Sequence, residues 1–155
     1  NPYTVVTDEG KIVWVLDAYT VSSSYPYSQY MKVQYDDKNE KINYIRNSVK
    51  VIINAYNGEM KFYITDENDP IISAYKKIYP AMFETEEIAK EIQEQLKYPE
   101  LLYKVQSEML NVYHNVKEDV LYRNSDVWQL AKYGNTSKNT TSAILEPYYT
   151  MLNQI

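Results

Sequence analysis

Val49-Lys50-Val51-Ile52-Ile53-Asn54-Ala55-Tyr56, then Asn57-Gly58, then Glu59-Met60-Lys61-Phe62-Tyr63-Ile64, is the stretch that decides the fold class. β-Branched and aromatic residues dominate both arms, and such side chains suit the pleated surface of a sheet. Asn-Gly is the dipeptide that most readily takes the positive φ angles of a type I′ turn, so the segment predicts an antiparallel hairpin reversing at Asn57-Gly58.

Working outward toward the N-terminus, Val5-Val6 and Lys11 to Tyr19 predict two further strands about the turn Asp8-Glu9-Gly10. Ser22-Ser23-Ser24-Tyr25-Pro26-Tyr27 breaks the pattern with serines and a proline and predicts an ordered loop, the kind of element on which binding residues concentrate. Tyr30 to Tyr35 and Lys41 to Ile45 flank Asp36-Asp37-Lys38-Asn39-Glu40 as a second hairpin.

Toward the C-terminus the period changes to that of helices. Asp69-Pro70 is an N-cap followed by proline at the first helical position, and Ile71, Ile72, Tyr75, Ile78 and Tyr79 recur at helical spacing until Pro80. Thr85 is positioned to cap a second helix with Ile88, Ile92 and Leu96 on its apolar side, ending at Tyr98-Pro99. Pro99 to about His114 predicts a third, with Leu102, Val105, Met109, Val112 and Tyr113 toward the core. Lys132 to Ser142 is expected to be a mobile polar loop ahead of Glu146-Pro147-Tyr148-Tyr149 and a last short strand.

The expectation is one α+β domain over residues 1–155, in which an N-terminal antiparallel sheet is packed by about three helices from the middle of the chain. Its parts are a strand-rich 1–65, a helical 69–114 and an irregular 115–155 that includes the terminal strand. A chain of 155 residues hides roughly two thirds of its unfolded surface, enough for one core. No stretch approaches the ~18–20 uncharged apolar residues of a membrane helix. The start at Asn1-Pro2, with neither an initiating Met nor a signal segment, is expected of a piece of something longer.

Composition narrows the chemistry. Acidic residues outnumber basic ones, 21 to 16, and the basic ones are scattered, so nucleic acid is not expected as a partner. The lack of cysteine removes disulfides, thiol nucleophiles and metal–thiolate sites. Three glycines could hardly build a phosphate cradle, and neither a Walker A loop nor a G-x-G-x-x-G turn occurs, so no cofactor is expected. Tyr supplies 18 aromatic residues against two Trp and two Phe. Either an A- and T-rich coding bias or an interface-rich surface accounts for that surplus, because tyrosine couples a large apolar ring to a hydroxyl.

His114, the single histidine, would have to serve any imidazole-based mechanism, but a satisfied helix-end role is the simpler account of it. Asp66-Glu67-Asn68-Asp69 gathers oxygen ligands without EF-hand spacing, so no metal site is expected and a solvated turn leading into a cap is the simpler account. Asn135-Thr136-Ser137 and Asn139-Thr140-Thr141 match the glycosylation sequon. No catalytic residue is assigned. The binding candidates are Asp17, Tyr19, Tyr25 and Tyr27 around the loop that follows the Trp14 strand, with Arg46 and Asn47; for Arg46 an internal ion pair is the competing role.

Gly10 to Thr20 (GKIVWVLDAYT), Tyr25-Pro26-Tyr27-Ser28 and Asn43 to Lys50 (NYIRNSVK) follow one another in the order of a known family. Ala55-Tyr56-Asn57-Gly58, Asp69-Pro70-Ile71-Ile72, Ile78-Tyr79-Pro80, Tyr98-Pro99-Glu100-Leu101, Val105-Gln106 and Tyr113-His114 continue the match. The chain resembles uncharacterised protein family 0182, bacterial proteins with several N-terminal membrane helices followed by a long extracytoplasmic region. The resemblance spans most of the chain and implies that these residues are part of that region. It implies no catalytic residue.

From this follow three expectations. The first is a non-enzymatic extracytoplasmic interaction or ligand-binding domain of an integral membrane protein, meeting a protein, a cell-envelope polymer or another copy of itself. The second is an envelope-acting hydrolase using His114 or the carboxylates Asp17 and Asp69. The third is a purely structural segment of a larger ectodomain.

Overall fold

A computed structural model describes residues 2–35, 38–132 and 148–150. The chain divides into two compact units, residues 1–102 and 103–155. The first unit is built on a four-stranded antiparallel sheet of order β1-β2-β5-β6, from β1 (Tyr3–Val6), β2 (Ile12–Ser22), β5 (Tyr44–Asn54) and β6 (Met60–Ile64). A two-stranded ribbon, β3 (Met31–Tyr35) with β4 (Lys38–Ile42), branches from it between β2 and β5. The helices are α1 (Pro70–Ile78), α2 (Lys90–Gln93), α3 (Glu100–Tyr113) and α4 (Glu118–Arg123), with a turn of 3-10 helix over Pro80–Met82. The α+β expectation holds.

β5 is buried continuously from Ser48 to Ile52, because both faces of the sheet are covered. Alternation along the strands assigns residues to two layers. On one face Val5, Val15 and Ile52 pack against Ile88 and Ile92, with Tyr3, Val13, Tyr63 and Leu96 at the margin. On the other, Val49 and Val51 meet Ile72 of α1 and Phe83, flanked by Leu16, Ala18, Ile53, Phe62 and Ile64. The connection from Phe83 to Lys97 straps the first of these layers: Glu84 N donates to Phe62 O at the β6 edge, while Gln95 Nε2 donates to Val6 O at the β1 edge.

Several expectations need correction. The stripe Ile88, Ile92 and Leu96 does face the core, but the second helix is only the four residues of α2, entered at Ala89 without a side-chain cap, so Thr85 caps nothing. In α1 only Ile72 is buried, and Tyr75 stacks on Tyr79 at the surface. α3 has the expected bounds but no buried residue, and α4 falls within a stretch read as irregular.

At Asn57-Gly58 the reversal is real, but only Gly58 has a positive φ, +73°, and β5 and β6 part at Ile53 and Met60. Asn54 N donates to Glu59 O and Gly58 N to Asn54 O, so the turn is wider than type I′. The second hairpin pairs Tyr35 with Lys38, which places strand where a five-residue turn was expected; Asp36 and Asp37 lie outside the described residues. Also outside them are both sequons, Glu146-Pro147 and all of the Lys132–Ser142 loop except Lys132 itself; Tyr148–Thr150 carry no regular structure. Among the described residues no helix is long and apolar enough to cross a membrane.

Candidate functional site

The most densely bonded polar group in the first unit is the carboxylate of Asp69, which is fully buried. Asp69 is the N-cap of α1, and its Oδ1 accepts from Ile71 N (2.9 Å) and from the Tyr44 hydroxyl (2.7 Å). Its Oδ2 accepts from Thr20 Oγ1 and Ser48 Oγ, each at 2.5 Å, and those two hydroxyls lie 3.2 Å apart. Burial by itself would raise the Asp69 pKa, but hydrogen bonds from Ser48, Thr20, Tyr44 and Ile71 N outweigh it and hold the carboxyl below its ordinary range. Burial, then the hydrogen bond to Asp69, pushes the Tyr44 phenol up to about 12.

A β-bulge makes this cluster possible. Between the pairs Ala18–Val49 and Thr20–Arg46, β2 advances two residues and β5 three. Strict alternation would put Ser48 on the face of Lys50 and Ile52; the extra residue turns it toward Thr20 instead. Asn47 holds the irregularity, its Nδ2 donating to Ala18 O at 3.1 Å.

The loop after β2 is tied down from one point. Asn43 Oδ1 accepts from Tyr25 N (3.0 Å), Asn43 Nδ2 donates to Tyr25 O (2.7 Å), and Ser28 Oγ donates to Asn43 O (2.9 Å). The Tyr25 ring stacks on Tyr44 with centroids 5.3 Å apart. Tyr27 sits at φ 59°, a left-handed conformation disfavoured for a bulky side chain, and its ring is wholly exposed. Tyr30 lies beneath the ammonium of Lys41, 4.4 Å from the ring centroid.

Of the residues singled out from sequence, Tyr25 and Tyr27 are therefore together and accessible. Asp17 is not free to accept from a ligand: it pairs across the β2–β5 register with Lys50, and both side chains are nearly buried. Tyr19 is half-buried beside this pair; burial first, then the Asp17 charge, raises its phenol pKa. Arg46 pairs with Asp66 at 2.7 Å, the ion-pair role, but stays half-exposed with its guanidinium 5.9 Å from the Tyr44 ring. Asp66 Oδ1 also accepts from Asn68 N, so the acidic string is a folded turn, and no group of three or more His, Asp or Glu that could hold a metal occurs among the described residues.

His114, in the second unit, closes the last turn of α3. Its Nδ1 lies 3.2 and 3.1 Å from the carbonyls of Leu110 and Asn111, and its ring stacks on Trp128 at 3.9 Å. Nε2 is 3.7 Å from Asp126 Oδ2, beyond hydrogen-bond reach. Acid–base catalysis would need Asp17, Asp69 or His114 to share a cleft; the two carboxylates serve separate internal partners, and His114 engages carbonyls through Nδ1 while its buried Nε2 has no hydrogen-bond partner among the described residues.

Asn43, Ser48 and Thr20 are the residues that sequence reasoning missed. Polar side chains at alternating strand positions carry no mark of burial, and their role depends on a bulge and a neighbouring loop. Asp69 was legible as a cap, not as the centre of a cluster.

These features define an α+β segment in which buried Lys50 and Asp69 have internal partners and whose accessible surface includes one ordered aromatic loop. The chain belongs to the uncharacterised protein family UPF0182, whose family model matches residues 1–155. It is 43% identical over 152 residues to a UPF0182 protein of Caldicellulosiruptor saccharolyticus, covering 98% of this chain and 16% of that protein. A relative from Desulforamulus reducens is 44% identical over 154 residues, covering 97% and 15%. One from Methanospirillum hungatei is 37% identical over 153 residues, covering 98% and 16%. The chain thus spans about one-sixth of the length of the curated relatives it matches. No solved structure matches it.

Proposed function

We propose that this chain is a non-catalytic interaction segment on the extracytoplasmic side of a larger membrane protein, and that the loop after β2 presents Tyr25 and Tyr27 to a protein or cell-envelope partner. The observation that carries the reading is Tyr27: a fully exposed ring held on a left-handed backbone, in a loop fastened by Asn43. Strain of this kind persists only where surrounding structure enforces it, and it concentrates at sites that bind. A loop backbone ordered before binding loses little freedom on contact, which favours affinity. Arg46, half-exposed beside Tyr44, adds a cation and a planar donor at the same end of the sheet.

The extracytoplasmic assignment rests on the resemblance to proteins with N-terminal membrane helices. Asp17, Tyr19 and Asn47 drop out of the contact set, because Asp17 and Asn47 bond within the sheet and Tyr19 is half-buried with a hydrogen bond to the Leu101 backbone.

The test uses the full-length protein in intact cells. A photo-crosslinking amino acid at Tyr27 should give one discrete adduct that is absent when the same group replaces Tyr56 on the β5–β6 turn. Identical patterns at both positions would remove the loop as a recognition element. A Tyr27→Cys thiol should react with a membrane-impermeant maleimide without lysis; reaction only after lysis would reject the location.

A further inference from the structure

From Ser22 to Tyr30 the chain contains no charged and no aliphatic residue: tyrosines and Pro26 supply its apolar surface, and the rest are serines and Gln29. Tyr44 joins this loop to the sheet. Its ring stacks on Tyr25 at an interplanar angle of 23°, and the Arg46 guanidinium lies 5.9 Å from the same ring. Arg46 Nη1 donates to Asp66 Oδ2 at 2.7 Å, which uses one of the five N–H groups of a guanidinium and offsets its charge. Although stacked, Tyr25 remains 52% exposed, so its ring still offers surface to a ligand.

The surroundings of the ring narrow the ligand. A polyanion calls for unpaired cations, but Arg46 is paired with Asp66 and the Lys41 ammonium sits over the Tyr30 ring. A proline-rich peptide docks in slots between aromatic rings, and stacking at 5.3 Å leaves no slot between Tyr25 and Tyr44. Protein interfaces also use Tyr and Arg, but around a desolvated apolar centre; here the rings are set among serines and an amide. A neutral pyranose has the matching make-up. Its axial C–H bonds form a weakly apolar, electropositive face that lies flat on the electron-rich face of an aromatic ring, and its hydroxyls exchange hydrogen bonds with polar groups at the rim. An equatorial linkage keeps that face uninterrupted from one sugar to the next.

We infer that Tyr25 is the stacking platform of a glycan-binding site with Arg46 and Asp66 at its rim, and that its ligand is a neutral, β-linked chain of equatorial pyranoses. The inference rests on the reading of this loop as a recognition element, and it gives that element a ligand class.

The experiment is saturation-transfer NMR on the full-length protein in an amine-oxide detergent, whose head group holds no sugar, with cellotetraose and tetra-N-acetylchitotetraose as probes. Saturation should pass chiefly to the axial ring protons of at least one probe. Tyr25→Phe keeps the ring and should bind as wild type does, while Tyr25→Ala should weaken binding by about tenfold. Tyr56→Ala on the β5–β6 turn should change nothing. Transfer to neither probe, or equal transfer in Tyr25→Ala, would overturn the inference. A polyproline peptide that binds through Tyr25 while both sugars stay silent would assign the platform to peptides and also overturn it. Should Tyr25→Ala fail to fold, Tyr25→Leu, which keeps apolar bulk without a planar face, repeats the measurement. The crosslink at Tyr27 reads the loop separately: a discrete protein adduct with silent sugars keeps the recognition element and rejects only the ligand class, whereas loss of both rejects the loop.

Discussion

Replacing Asp69 by Ala is the sharpest perturbation of the first unit. The substitution removes the N-cap of α1, worth about 1 kcal/mol, and three hydroxyl bonds to a buried carboxylate. Hydrogen bonds to charged groups contribute about 1.5–3 kcal/mol each when singly deleted. They do not add here, because Thr20 and Ser48 lie 3.2 Å apart and can bond to each other once the carboxylate is gone, and Tyr44 can turn to water. The expected loss is therefore about 3–4 kcal/mol. With an m-value of about 2 kcal/mol per M in urea, the midpoint should fall by about 1.5–2 M.

The assay is urea unfolding followed by Trp14 fluorescence in a Trp128→Phe background, so that the signal comes from the sheet alone. Asp69→Asn keeps a cap acceptor and should cost less than Asp69→Ala. The reasoning is refuted if Asp69→Ala costs under about 1 kcal/mol, or if Asn is as harmful as Ala.

The same carboxylate predicts a pH dependence. Its folded pKa lies below the ordinary value of 3.8, so the folded state binds this proton less readily than the unfolded state. Its contribution is fully present above that ordinary value and is lost as pH falls from there through the lowered folded pKa. Wild type should lose stability over that interval more steeply than Asp69→Asn, which has no proton to take up at this position; parallel curves would show that the cluster does not favour the ionised form.

Breaking the Asp17–Lys50 pair from one side, as in Asp17→Leu or Lys50→Met, should cost about 3–5 kcal/mol, whereas the two substitutions together should be near neutral, as a double-mutant thermal unfolding cycle would reveal. Asn43→Ala should loosen the loop without unfolding the sheet, seen as faster hydrogen exchange at the Tyr25 amide while β5 amides keep their protection. Tyr27→Gly relieves the left-handed backbone but frees the unfolded chain, so stability should change by less than about 1 kcal/mol while crosslinking to any partner is lost; a larger destabilisation would mean that the ring packs.

Much of the architecture follows from local chemistry. The hairpin about Asn57-Gly58, the Asp69-Pro70 helix start and the stop near Pro80 depend on residues close in sequence, and the structure has each. The same kind of signal misjudged the Thr85 helix, because helical spacing of Ile88, Ile92 and Leu96 is also met by a strap crossing a sheet. α4 was missed because six residues carry too little period to read.

What the residues determined by themselves was the class of fold, the strand-then-helix order, the exclusion of thiol chemistry and the family match. Which polar residues would meet, and which would stay available, was decided only by tertiary structure. Asp17 and Lys50 are 33 positions apart and are brought together by strand register, whereas Thr20 and Asp69, 49 apart, meet where the start of α1 seats on the sheet. A carboxylate in a sequence has the same composition whether it will accept from a ligand or from a buried serine. The difference lies in which of its neighbours reaches it first, and that is set by the long-range pairing of β2 with β5.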